Sequence, residues 1–457
     1  MNIGDGDEHH PAEQQGCISM HLTHKIALRP TPKQADYFAR ACGTARKVWN
    51  WALDEWSKQY AGGGKPNAMA LKKQFNAIKY ELYPWLKDIH RDAHAQPFTH
   101  LDKAWSQFFA EIKAGKPAHE PRFKKKGRCH DSFYVANDKF SLEGQAIRLP
   151  KIGTVAMTET LRFEGRILGA TVSRTADRWF VAVQVEVSDE QAMLRRTGHG
   201  TVGVDLGIKS AAILSNGESI QAPRPLKAAL RRLKIRSRRL SRQLEAAKLA
   251  VGLAPGARPP RGTRLPVSNN RRKSAAKLAR LHARIANLRA DFTHQLTTRL
   301  CRENQAVVIE DLNVRGMLAN DRLARAISDV GFGMFRQQMN YKAQRYGMRL
   351  VVADRWYPSS RLCSVCGWKY EALTLRERTW ACADCGTHHD RDHNAARNLE
   401  RLATATALPV ASPAGNGGAA AGRVPAAVGK VTPVNHECGQ QGASGQEERC
   451  EHLCSPF

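Results

Sequence analysis

Residues 202–218 read VGVDLGIKSAAILSNGE. Val202 and Val204 alternate as a buried strand, and Asp205 sits at its end. Gly207 permits a turn, residues 210–214 return as a second strand, and Asn216-Gly217 is a hairpin signal. A carboxylate at the end of a central strand is costly unless it binds metal or accepts hydrogen bonds. Taken alone, Asp205 fits a capping aspartate at a strand–turn junction equally well.

Two further stretches carry acids in comparable places. Residues 306–317 read AVVIEDLNVRGM, where Val307, Val308 and Ile309 form the continuous apolar run of a strand covered on both faces. Glu310 and Asp311 follow at its end, and alternation sends them to opposite sides; either also fits a simple strand cap. Residues 388–400 read HHDRDHNAARNLE. Asp392 falls in the first turn of a helix whose apolar face carries Ala395, Ala396, Leu399 and Leu402, with Asp390 as a candidate N-cap. His388, His389 and His393 are read as solvated loop residues. Combined, the three stretches say more than each alone. Two carboxylates on neighbouring strand ends and a third on a following helix can converge on two Mg²⁺ ions about 4 Å apart, one activating water and the other stabilising the oxygen that departs from a phosphodiester. Hard oxygen ligands suit Mg²⁺ and not zinc.

Between the second and third acids lie CSVCG at residues 363–367 and CADCG at residues 382–386. The spacing C-x₂-C-x₁₅-C-x₂-C is that of a zinc site. Each pair wraps a tight turn that aims two thiolates at one ion, with Gly367 and Gly386 relieving the turn that follows. Cys363, Cys366, Cys382 and Cys385 close the coordination shell, so this Zn²⁺ is structural. Cys17, Cys42, Cys129, Cys301, Cys438, Cys450 and Cys454 lack the spacing and are assigned to core or tail.

Working outward, the 457 residues allow two to four domains, and a hydrophobic content of 42% supplies real cores. Lys plus Arg total 71 against 42 Asp plus Glu, a formal charge of +29. Such a chain repels itself unless a polyanion offsets the charge, and nucleic acid is the commonest one. No stretch has the length of a membrane helix, and the acidic first twenty residues are not a signal peptide, so a cytoplasmic location is expected. Residues 1–19 read as a disordered extension. Residues 20–30 and 119–190 carry short strands (near 21–28, 132–135, 147–150, 154–157, 170–173 and 179–187) that suggest a small, OB-like β-barrel. Residues 31–118 form an inserted helical domain, opened by Thr31 as N-cap, Pro32 at the first helical position and Gln34 closing a capping box. Further helices are expected at 67–82 and 98–113. Residues 198–357 form the α/β region with the acids, interrupted by a basic helical insertion at 223–300 in which a mobile loop at 254–266 separates two helices. The zinc finger spans 358–389, the α/β region ends at 390–403, and residues 404–457 read as a disordered tail.

The order of Asp205, Glu310, the cysteine pairs and Asp392 resembles TnpB, the transposon-encoded RNA-guided DNA endonuclease family related to type V CRISPR effectors. The matching pieces are GVDLGIKS, VVIEDLNVRGM, YPSSRLCSVCG and DRDHNAARNL over residues 201–402, with looser matches at KIALRPTPKQ and PRFKKKG. The resemblance implies an RNase H-like (RuvC-type) nuclease fold, with Asp205, Glu310 and Asp392 as catalytic triad and Cys363, Cys366, Cys382 and Cys385 as zinc ligands. It also implies a guide RNA from the transposon end and a double-stranded DNA target beside a short motif read by the barrel, as a wedge domain, and the helical domain. Base pairing then supplies the sequence reading, and the protein grips backbone and A-form shape. Lys124, Lys125, Lys126, Arg128, Arg231, Arg232, Lys234, Arg236, Arg238 and Arg239 are the candidate phosphate contacts. Two other readings stand beside this one: a guide-independent transposase or resolvase-like nuclease, which would carry random RNA fragments, and a non-catalytic DNA-binding regulator, which would not cut.

Overall fold

A computed structural model describes residues 19–260, 262–374 and 376–405. The disordered extension and nearly all of the disordered tail expected from composition lie outside these residues. The chain divides into two compact units, Met1–Leu194 with Pro225–Leu288, and Arg195–Arg224 with Arg289–Phe457. The basic helices, read from sequence as part of the α/β region, group with the first unit up to Leu288.

The first unit is built on β1 (Ser19–Arg29), β2 (Asp131–Ala136), β3 (Ser141–Glu143), β4 (Ala146–Leu149), β5 (Gly153–Met157), β6 (Arg166–Thr175) and β7 (Arg178–Ser188). They form one seven-stranded antiparallel sheet in the order β2-β6-β7-β1-β5-β4-β3. Strand β1 binds its halves together: Ser19 through Leu28 pair with β7, then Leu28 and Arg29 pair with β5. The inward residues of both halves, among them Ile26, Val135, Ile147, Val155, Val172 and Val181, share one core with Phe38 of the first helix.

Between β1 and β2 are inserted α1 (Pro32–Ala61), α2 (Ala68–Leu82) and α3 (Asp92–Lys113). The Thr31/Gln34 capping box forms as expected. Helix α3 starts six residues before the expected Phe98, running through Pro97; its first residue, Asp92, accepts the Ala136 N–H at 2.9 Å and so ties the helix start to β2. Trp49, Trp56, Leu71, Phe75, Phe98 and Leu101 form the helical core. A short turn, α4 (Asp189–Ala192), closes this part of the chain. The remainder of the unit is α5 (Pro225–Leu249) and the first half of α6 (Asn269–Glu303), an amphipathic hairpin joined through Ala229, Leu233, Leu281 and Ile285.

The second unit holds β8 (Gly200–Asp205), β9 (Ala212–Leu214), β10 (Ser219–Ile220), β11 (Asn304–Glu310) and β12 (Arg349–Ala353) in the order β10-β9-β8-β11-β12. Strands β8, β11 and β12 run parallel, whereas β9 and β10 form an antiparallel margin. The central β11 is buried from Ala306 to Ile309, as its unbroken apolar run requires. Helices α7 (Val314–Leu318), α8 (Ala324–Val330) and α9 (Phe332–Tyr346) connect β11 to β12. A hairpin of β13 (Thr379–Ala381) and β14 (His388–Asp390) leads into α10 (Arg391–Ala405), which lies against β8. The approach is closest at Gly203, where an added Cβ would stand 1.9 Å from the Ala396 carbonyl oxygen. Only a residue with no side chain fits there.

Candidate active site and metal centre

The topology brings the three acids to one place. In the register of β8 with β11, Ile309 pairs with Val204, so Asp205 and Glu310 are the next residues of adjacent parallel strands and leave the sheet at the same edge. Asp392 enters from the first turn of α10, the helix packed on β8. All three are half-buried. Burial, followed by the negative charges of Glu310 and Asp392, pushes the Asp205 carboxyl well above the usual carboxylate range, and Arg391 offsets this only in part. Like charges gathered at a half-buried strand end favour a proton or a cation between them.

The neighbours hold this arrangement. The Ser359 hydroxyl donates to Glu310 Oε1 at 2.6 Å. Asn398 of α10 donates to the carbonyls of Ser359 and Leu362 at 2.8 and 2.7 Å. Asn394 donates to Leu362 O at 2.6 Å and accepts the Ser364 N–H at 2.9 Å. Both asparagines are buried, so α10 is stapled to the segment that carries the first cysteine pair. Sequence reading assigned no role to Ser359, Asn394, Asn398 or Gly203. The asparagines stand on the buried side of an otherwise apolar helix face, and that polar interruption is the signal that marks them. Asp390 accepts the His393 N–H at 2.9 Å, the capping bond expected of it. Asp311 turns away from Glu310, as alternation predicts, to meet Arg355 at 2.6 Å and Arg336 at 4.0 Å.

The four cysteines converge within 4.8 Å, the one such group of metal-ligand atoms among the described residues. Cys363 Sγ lies 3.6 Å from Cys385 Sγ, and Cys366 Sγ lies 3.5 Å from Cys382 Sγ. Sulfurs around tetrahedral zinc, with Zn–S bonds of 2.3 Å, stand about 3.8 Å apart. The thiol set and its spacing therefore fit a structural zinc. Each pair is shaped by the same turn: Gly367 N–H donates to Cys363 O and Gly386 N–H to Cys382 O, both at 2.9 Å, with φ of 83° and 70° at the glycines. The Thr387 hydroxyl, 3.2 Å from Cys385 Sγ, holds that thiol down at about 6, near its metal-binding form. His389 is not the solvated residue expected: it is buried, its ring 4.6 Å from that of Trp380 and its Nε2 3.0 Å from Cys363 Sγ.

The basic candidates divide. Lys125, Lys126, Arg128, Arg231, Arg232, Lys234, Arg238 and Arg239 are exposed. Arg236 is half-buried and donates to Lys277 O at 2.7 Å. Lys124 is drawn inward, its ammonium 3.8 Å from the centre of the Trp49 ring. Asn50 holds the Lys124 backbone on both sides, at 2.7 and 2.9 Å, and Trp49 Nε1 donates to Arg122 O at 3.0 Å. Cys42 and Cys301 are core residues, as expected.

Three family models match this architecture: "Helix-turn-helix domain" over residues 20–65, "Probable transposase" over residues 182–321, and "Cas12f1-like, TNB domain" over residues 332–399. A Streptomyces pristinaespiralis protein named "Putative RNA-guided DNA endonuclease" is 36% identical over 383 residues, 82% of this chain and 87% of that protein. The Escherichia coli K12 protein named "Putative RNA-guided DNA endonuclease InsQ" is 29% identical over 82% of this chain and 90% of its own length. Among solved structures, a Cas12f1–sgRNA–target DNA complex aligns over 81% of this chain and 83% of its own at 12% identity and a TM-score of 0.46. The fold and site are those of a mixed α+β protein with three carboxylates gathered at one sheet edge and a four-cysteine cluster. The chain belongs to the TnpB (OrfB) family.

Proposed function

We propose that this chain is an RNA-guided, Mg²⁺-dependent DNA endonuclease encoded by a transposon, with Asp205, Glu310 and Asp392 as its catalytic acids. The observation that carries the reading is the gathering of these three carboxylates, from three separate parts of a chain of charge +29, until two of them raise the affinity of the third for a proton. An acid cluster with no cation would repel the DNA that the remaining surface attracts. A set of carboxylates of this kind would hold a pair of Mg²⁺ ions about 4 Å apart, the arrangement that phosphodiester cleavage by metal ions uses.

The parallel order β8-β11-β12 with an antiparallel margin is the sheet expected of an RNase H-like domain, and we assign the RuvC type to it. When bound, Mg²⁺ would supply a nucleophilic water and charge stabilisation at the scissile phosphate. The chain's own residues do the positioning. Asp205, which feels the charge of both other acids, would share the metal with them; Glu310 is held by Ser359, and Asp392 by the seating of α10 on Gly203. The four cysteines would hold Zn²⁺, and through Asn394 and Asn398 that centre sets the height of α10.

In the first unit, the seven-stranded sheet would serve as the wedge-like element and α1–α3 as the helical domain, together reading a short motif in the target DNA. Lys125, Lys126, Arg128 and the exposed basic face of α5 grip the guide RNA backbone. The test is to purify the protein from cells carrying its transposon, sequence the RNA that accompanies it, and challenge the complex with matching double-stranded DNA. One discrete RNA species with Mg²⁺-dependent cutting of the matching DNA is expected. Random RNA fragments with unguided cutting would support a transposase or resolvase-like nuclease, and guided binding without cutting would support a regulator.

A further inference from the structure

The segment after β12 both leaves from and returns to Glu310. Ala353, the last residue of β12, pairs with Glu310 in the sheet, and Ser359 donates its hydroxyl to the Glu310 carboxylate. Between them lie Asp354, Arg355, Trp356, Tyr357 and Pro358. This loop is tied down along its length. Asp354 accepts the Trp356 N–H at 2.8 Å through its side chain and the Tyr357 N–H at 3.0 Å through its carbonyl. Arg355 meets Asp311 at 2.6 Å, and the Tyr357 hydroxyl donates to Asn398 O at 3.3 Å. Trp356, at the apex, is 85% exposed, the highest value among the large exposed apolar side chains of the described residues.

Scattered exposed apolar residues are ordinary. An indole held in water by a loop whose neighbours are all engaged is different, because a free loop would fold it against the protein. Three residues of chain span at most about 11 Å, so the Trp356 backbone stays within that distance of Ala353 on one side and Ser359 on the other. The loop that carries Trp356 is therefore anchored at both ends to Glu310, one of the three acids. The exposed Arg361, five residues further on, supplies positive charge suited to a phosphate backbone, while Arg355 is already paired with Asp311. A strand cut at the acids presents unpaired bases to its surroundings. Every base has a π-face, so stacking on an aromatic ring grips such a strand with no demand on sequence, as an enzyme whose sequence reading lies elsewhere requires.

We propose that Trp356 is a stacking platform for an unpaired nucleobase of the DNA strand entering the active site. The inference rests on the nuclease reading above. The test uses the full-length protein with its co-purified RNA and a single-stranded oligodeoxynucleotide containing 2-aminopurine, in an Asp205→Ala background that leaves the oligonucleotide intact. Quenching of the 2-aminopurine is expected with Trp356 present, lost in Trp356→Ala and retained in Trp356→Tyr. With Asp205 intact, Trp356→Ala should cut roughly tenfold more slowly and Trp356→Tyr within about twofold of the parent. Equal quenching by parent and Trp356→Ala overturns the proposal. Loss of the co-purified RNA from Trp356→Ala also overturns it, by assigning the indole to the guide; a change of oligomeric state overturns it by assigning the indole to a second copy. If the parent quenches but cuts nothing, the platform stands and the nuclease reading fails.

Discussion

Replacing Gly203 with alanine changes no functional group, yet it should disable the enzyme. The new Cβ would lie 1.9 Å from Ala396 O and 2.5 Å from Glu400 N, both backbone atoms of α10, where ordinary contact begins at 3.4 Å. Helix α10 must therefore retreat from β8 by about 1.5 Å. Asp392 lies one helical turn before Ala396 and moves with it, away from Asp205. A misplacement of about 1 Å at a reacting centre costs on the order of 100-fold in rate, whereas overpacking of this kind costs about 1–3 kcal/mol of stability. The assay is single-turnover cleavage of guide-matched DNA at saturating Mg²⁺, with a melting curve on the same sample. Gly200→Ala is the internal control: it lies on the same strand, and its Cβ would meet nothing within 4 Å. A Gly203→Ala protein that cuts at the parental rate would refute the claim that the seating of α10 on β8 sets the active-site geometry.

Other substitutions probe other parts. The folded-state pKa of Asp205 is raised above its unfolded value, so the folded chain binds the extra proton and loses stability as pH rises from about 3.9 through the raised value. Asp205→Asn should therefore melt higher than the parent at neutral pH without divalent metal, with the gap closing in acid; equal melting at neutral pH would contradict the charge crowding. Cys382→Ser should lower zinc content and melting temperature together and slow cutting by displacing Asp392; normal zinc content and stability would contradict the metal centre. Neutralising Lys125, Lys126 and Arg128 together should reduce the salt slope of RNA binding by about two, whereas Lys124→Met should leave the slope unchanged and lower stability through the lost contact with Trp49. A salt slope that follows Lys124 instead would reverse that division.

Much of this architecture is legible in the residues. The run of Val307, Val308 and Ile309 declared a central strand and the capping box declared α1, because burial on both faces and helix initiation are local demands. The zinc spacing was legible for the same reason, since each pair makes its own turn. Strand β3 was missed because its three residues are too few to show alternation. The start of α3 was missed because Pro97 reads as a stop, while the tie of Asp92 to β2 is a long-range contact no window displays. The burial of His389 was likewise hidden, since it depends on Trp380 and Cys363 closing over it. Lys124 reads like its neighbours in KKK; only the docking of that loop on Trp49 and Asn50 separates it from Lys125 and Lys126. At the candidate site, sequence supplied the acids, but their meeting required the parallel register of β8 and β11 and the close approach of α10, which are properties of the assembled sheet.

The most direct measurement is anomalous diffraction from crystals of the protein with its RNA and DNA, grown with Mn²⁺ in place of Mg²⁺. Two anomalous peaks about 4 Å apart, bridged by Asp205 and flanked by Glu310 and Asp392, are predicted. Occupied manganese sites elsewhere, with none touching these three carboxylates while the scissile phosphate is in place, would contradict the account.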